Sequence, residues 1–188
     1  VTSGPGGTNA ITGVYGAYVD SIPMIVISGQ VKLETTVYRS KQKLRQLGDQ
    51  EINIIPLVSS ITKYSTMIIN PLRIKFALEK ALYEASNGRP GPVWIDIPLD
   101  IQSKIIDTSL LKSYTPKLAV KNTNIESQIL RIYKEINKSQ RPVILAGNGI
   151  RLSDSFKEFN KLVSKLRIPV TTAFNGHDVI SETSKLYI

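Results

Sequence analysis

With 188 residues, 41% of them hydrophobic and 21% charged, the chain has the composition of a folded globular protein, long enough for one large domain or parts of two. It has no cysteine, which excludes disulfides, thiolate catalysis and cysteine-bound metals, and its single histidine, His177, leaves little from which to build a histidine metal site or a Ser-His triad. The formal charge of +9 is uneven: residues 1–100 hold ten Lys/Arg against eight Asp/Glu and residues 101–188 hold fourteen against seven. In the second half these are mostly single lysines without interleaved aromatics, so nucleic-acid binding is not expected.

No apolar run approaches the roughly 18 residues that span a bilayer, and nothing has the order of a signal peptide. The sequence reads as cytoplasmic, with no membrane partner. It opens on TSGPGGTN, where glycines without a Cβ, a stiffening proline and a following helix would bring backbone close to anything above a sheet edge. Spacing alone fits a plain tight turn equally well. The stretch is neither a P-loop, which ends in Gly-Lys-Ser/Thr, nor a GxGxxG dinucleotide fingerprint.

Pro23 to Gly29 (PMIVISG) reads as a buried strand. Asn70 then caps a helix with Pro71 at its first position and Gly88 just past its end. Leu72, Phe76, Leu78, Ala81, Leu82 and Ala85 recur along it as a buried stripe. Gly91 to Pro98 (GPVWIDIP) is a second apolar strand, closed by a proline, with Asp96 and Asp100 near its end read as turn and capping residues. Strand, helix and strand with short links predict a parallel α/β sheet. From about residue 104 to 124 the pattern decays into linker composition. From Ile125 a second α/β cycle begins: helix, strand RPVILAGNG, helix, strand IPVTTAF.

Three segments in this order, TSGPGGTNAITGVYGAYVDSIPMIVISGQV, RPGPVWIDIPLDIQ and RPVILAGNGI, resemble the thiamine-diphosphate-dependent enzymes of the acetolactate synthase and pyruvate oxidase group. The resemblance implies a three-layer α/β/α pyrimidine-binding domain over 1–103, lacking its first part, a linker over 104–124, and the start of a Rossmann-like central domain over 125–188. Further domains of the same enzyme, assembled as a homodimer or tetramer, would complete it. The implied activity is decarboxylation of a 2-oxo acid on the cofactor and transfer of the remaining fragment to an acceptor.

By the same resemblance, Gly4, Pro5 and Gly6 form the loop against the aminopyrimidine ring, and Thr8 and Asn9 begin the helix behind it. Gln50 matches a glutamine that faces the active site, and Glu51 matches the residue after it. Asp49 stands where the family has an aromatic residue, which puts pyruvate in doubt as the substrate. An exposed glutamine at a helix start is the alternative for Gln50. Gly147 and Gly149, near Ala173 and Phe174, correspond to a turn that approaches FAD in flavin-containing members. The chain supplies only the beginning of that domain, so a bound flavin is not expected.

In the family the activating glutamate precedes the Gly-Pro-Gly turn, and a Gly-Asp-Gly motif in a third domain holds the diphosphate and Mg2+. Neither is found in this sequence. The chain is therefore expected to be an inactive fragment with no catalytic or metal-binding residue of its own. A non-catalytic interaction or regulatory module on the same fold is the alternative. His177, in the polar turn NGHD, reads as a surface or structural residue.

Overall fold

The computed structural model describes residues 1–116 and 124–188; residues 117–123 of the expected linker lie outside the described residues. The chain forms two compact units, Val1–Lys117 and Leu118–Ile188.

The first unit begins with α1 (Pro5–Val19), which starts from Gly4 at φ 57° with Pro5 at its first position. It ends in a Schellman-type turn: Ser21, at φ 60°, takes the left-handed place usually held by glycine, and the Ile22 amide donates to the Ala17 carbonyl at 2.8 Å. Arg89 donates to the Ser21 hydroxyl at 2.7 Å and secures this end. Then follow β1 (Met24–Gln30), α2 (Ile54–Val58), β2 (Tyr64–Met67), α3 (Ile74–Ser86), β3 (Pro92–Pro98) and α4 (Leu99–Gln102).

The sheet is parallel, with order β1-β3-β2; Ser28 pairs with Asp96, and Thr66 with Ile95. β3 lies between the other two strands, and its Val93, Trp94 and Ile95 are fully buried. Trp94 faces Val14 of α1 and Ile54 and Val58 of α2, while Val93 and Ile95 face the alanines of α3, so the unit has three layers. Burial of each large apolar side chain in these cores contributes about 1.5–3 kcal/mol.

Two expectations change. The buried stripe of α3 is Ala77, Ala81 and Ala85, whereas Leu78 and Leu82 are 40% and 63% exposed. Alanines at every fourth position bring the helix close to the sheet, and the bulkier leucines fall on its flank. β1 is not buried on both faces, because Ile25 and Ile27 are exposed while Val26, Ser28 and Gln30 point inward. The α3 core takes its strand residues from β2, β3 and the loop after β2, leaving the β1 end of that face open. Neither α2 nor β2 stands out in the sequence, since each is only four or five residues long and β2 carries no buried side chain.

The second unit contains α5 (Ile125–Lys138), β4 (Ile144–Ala146), α6 (Gly149–Leu152), α7 (Phe156–Leu166) and β5 (Val170–Thr172), with β4 and β5 parallel. Its core gathers Ala146, Val163, Val170, Val179 and Ile180. α5 buries no side chain among the described residues.

Candidate functional site

Val1 lies beside the carboxyl end of β1, its amino group donating to the Ile27 carbonyl at 2.8 Å and its carbonyl accepting from the Gly29 amide at 2.9 Å. This places the turn from Ser3 to Gly6 at the edge of the sheet where ligands of open α/β folds bind. Gly4 is buried, and a Cβ on it would overlap the Gln50 carbonyl oxygen. Its φ of 57° with ψ of −119° is also a backbone state that side chains exclude. Contact with Gln50 and conformation therefore both require glycine here. The Thr8 hydroxyl donates back to the Pro5 carbonyl at 3.1 Å and ties the first turn of α1.

Opposite this turn runs the segment Gln46 to Ile52. Together they line an open cleft of about 440 Å3, with Gly4, Pro5 and Thr8 on one side and Gln46, Asp49, Gln50, Glu51 and Ile52 on the other. Gln50 is exposed and held at φ 55°. Gly4 and Gln50, 46 positions apart in the chain, thus meet in space. Gly6 lies one step behind, against the Thr2 methyl group. Asn9 is exposed on α1 and does not line the cavity.

Two buried carboxylates hold the far wall. Glu51 is 7% exposed and accepts hydrogen bonds from the amides of Val37, Leu47 and Gly48. Asp96, read from sequence as a turn residue, instead sits inside β3 at 1% exposure. It accepts from the Ser28 hydroxyl at 2.5 Å and from the Gln30 amide at 3.0 Å. The Trp94 indole N–H donates to Ser28 at 2.8 Å, and Gln30 also donates to the Ile52 carbonyl at 2.8 Å. Asp96 thereby steadies the cavity wall through Gln30. Desolvation by burial raises its pKa above the ordinary 3.8, with the Ser28 and Gln30 hydrogen bonds opposing that rise. Asp100, read as a turn or capping residue, lies in α4 and accepts from the Leu33 amide at 2.9 Å.

In the second unit, Gly147 and Ala173 lie side by side where β4 and β5 end, and the Ala173 amide donates to the Ala146 carbonyl at 2.7 Å. Gly149 opens α6, and Phe174 is 97% exposed. His177 is exposed beyond them, next to Asp178, which pairs with Arg151 at 2.7 Å. Among the described residues no group of three or more His, Asp or Glu side chains could hold a metal ion, and no helix is long and apolar enough to cross a membrane.

Residues 1–56 match the thiamine pyrophosphate enzyme N-terminal TPP binding domain, and residues 129–188 match the thiamine pyrophosphate enzyme central domain. The chain belongs to the thiamine pyrophosphate enzyme family. The first match contains the Gly4 turn and Gln50; the second contains Gly147 and Ala173. Curated relatives include the acetolactate synthase large subunit of Buchnera aphidicola subsp. Acyrthosiphon pisum, 40% identical over 94% of this chain and 30% of the relative. That of Lactococcus lactis subsp. lactis is 36% identical over 94% of this chain and 29% of the relative. The probable acetolactate synthase large subunit of Methanocaldococcus jannaschii is 36% identical over 98% of this chain and 31% of the relative. The chain spans about 30% of the length of these relatives.

The residues of the first cavity fit the ring end of thiamine diphosphate. The Gly4-Pro5 backbone forms a wall without bulky side chains, and the Gln50 amide makes no hydrogen bond of its own among the described residues. Both suit a flat, nitrogen-bearing ring. The signal that sequence reading missed is Asp96 with Ser28 and Gln30. Ser28 and Gln30 stand at alternate positions of β1, and Asp96 is the register partner of Ser28 on β3, so all three share one face of the sheet.

Proposed function

We propose that this chain is part of an acetolactate-synthase-like enzyme and forms the wall of the pocket that receives the aminopyrimidine ring of thiamine diphosphate. The complete protein would act on a 2-oxo acid by decarboxylation and carboligation. The observation that carries this reading is the meeting of the Gly4-Pro5 turn with Gln50 around one cavity, in a chain whose relatives are named acetolactate synthases.

Bound there, thiamine diphosphate supplies the electron sink for the decarboxylation. The chain's own residues bind and orient. Gly4 lets the ring approach the backbone, Pro5 fixes the turn, and the Gln50 amide offers both a donor and an acceptor to a ligand. The Thr8 hydroxyl is already engaged with Pro5 and stiffens the turn. The activating glutamate, the diphosphate and Mg2+ are assigned to parts of the enzyme outside this chain, and the working unit is a homodimer or tetramer in the cytoplasm. Gly147 and Gly149 are assigned to structure, with no flavin bound.

The test compares this chain with the full-length enzyme in the presence of a 2-oxo acid, thiamine diphosphate and Mg2+. Full-length protein is expected to release carbon dioxide, and the isolated chain is not. Turnover by the chain alone, or a full-length protein indifferent to thiamine diphosphate, refutes the reading.

A further inference from the structure

Between the strand β1 and the cavity wall, the loop from Tyr38 to Gln46 carries Arg39, Lys41, Lys43 and Arg45 with no acidic residue among them. All four are exposed, and no ion pair among the described residues includes any of them. This differs from an ordinary solvated lysine face, because the loop is tied at its neck and its last residue, Gln46, lines the candidate site.

The buried Glu51 carboxylate accepts from Val37 on one side of the loop and from Leu47 and Gly48 on the other, so a single side chain closes its neck. Gly48 is pressed between Val31 and Thr35, where a Cβ would come within 2.8 and 2.9 Å of them. Within the loop, the Ser40 hydroxyl accepts from the Gln42 amide at 3.0 Å. The stem then passes directly into Gln46, Asp49 and Gln50 of the cavity wall. Arg39 and Arg45 are six residues apart, so their Cα atoms lie at most about 21 Å from one another. With a Debye length of about 8 Å at physiological salt, neighbouring cations of the set act on the same incoming ion.

We propose that the loop 38–46 is a specificity-determining rim that draws a multiply charged anionic substrate, such as a phosphorylated one, into this cavity in preference to a simple monocarboxylate. This rests on the reading of the cavity as the substrate-facing side of the thiamine site. A cleft lined by one sign of charge gains about ten- to a thousandfold in local concentration and arrival rate at low salt. With Asp49 also on this wall, the four cations of the neighbouring loop should raise those of a polyanion by about tenfold, and of a monoanion by much less.

The test is titration of the isotopically labelled 188-residue chain with inorganic pyrophosphate and, at matched ionic strength, with pyruvate, followed residue by residue by NMR. Pyrophosphate is expected to give saturable shifts confined to residues 38–52. Its apparent affinity should fall about tenfold or more between 20 and 200 mM salt, and by a similar factor in Lys41→Glu/Lys43→Glu. Arg39→Gln/Arg45→Gln serves as a second variant should the first disturb folding. Lys157, Lys161 and Lys165 on α7, which do not line this cleft, provide an internal comparison.

Shifts as large on α7 as on the loop, unchanged affinity in a folded variant, or pyruvate binding as tightly as pyrophosphate would each overturn the proposal. Phosphate-free thiamine, titrated in parallel, reports on Gly4 to Thr8 and Gln50. A response to pyrophosphate without one to thiamine sinks the proposed cofactor site and leaves the anionic rim standing; the converse does the reverse.

Discussion

Substituting Gly4 by alanine tests the central geometric claim. The new Cβ would collide with the Gln50 carbonyl oxygen, a backbone atom that cannot rotate aside, and would occupy φ 57°, ψ −119°. The strained backbone costs about 1–3 kcal/mol and the forced displacement about another 1–3, for a total of about 2–6 kcal/mol. For a unit of this size 1 kcal/mol moves the midpoint of thermal unfolding by about 4 °C, so Gly4→Ala should lower it by about 8–24 °C. The assay is fluorescence of Trp94, the only tryptophan, which is fully buried in the first unit and reports that unit alone. Gly13→Ala is the matched control: Gly13 lies inside α1 with open space where its Cβ would go, and alanine there should stabilise by about 0.5–1 kcal/mol. If Gly4→Ala costs less than about 0.5 kcal/mol, or costs no more than Gly13→Ala, the contact between the turn and the wall is not what holds this edge.

Gln50→Gly relieves a left-handed backbone while removing the amide from the cavity, so the first unit should be stabilised by about 0.5–1 kcal/mol while thiamine binding weakens. Loss of stability in that variant, or unchanged thiamine binding, refutes the assigned role. Glu51→Ala leaves three amides without their acceptor and should cost about 2–4 kcal/mol. It should also speed tryptic cleavage after Arg39, Lys41, Lys43 or Arg45, and an unchanged digestion pattern would show that Glu51 does not close the loop. Because the folded-state pKa of Asp96 is raised, its contribution to stability is present in full below the ordinary 3.8 and is lost as pH rises through the higher folded value. Asp107, whose pKa is lowered by Ser109, contributes in the opposite sense, with a stability gain lost as pH falls through its depressed value. Asp96→Asn should therefore flatten the dependence of Trp94-monitored stability on pH above 3.8, and an unaltered slope in urea titrations would rule this out.

Local chemistry carried much of the architecture into view from the sequence. β3 was legible because its run from Pro92 to Ile95 is apolar and stays buried on both faces in the middle of the sheet, although the buried Asp96 follows within the same strand. The helix entry was legible because Asn70 and Pro71 encode it in adjacent residues, although Asn70, accepting from the Leu72 amide at 3.0 Å, caps a 3-10 turn at Pro71–Arg73 that leads into α3 at Ile74 and not α3 itself. β1 was legible as a strand but not in its exposure, which depends on how far α3 reaches across the sheet. The choice of Ala77, Ala81 and Ala85 over the leucines as the contact stripe was decided by the closeness of helix and sheet, a distance that periodicity does not contain.

The same division holds at the site. The sequence by itself determined the parallel α/β class, the glycine-rich turn before α1 and, through three ordered segments, the family. Each is written in residues close together along the chain, where turn geometry and hydrophobic period act. Only the tertiary structure decided that Gly4 meets Gln50, that Glu51 closes the basic loop and that Asp96 supports the wall through Gln30. Those contacts join positions 14 to 66 residues apart, and what fixes them is the folding of separate strands and loops onto one sheet edge.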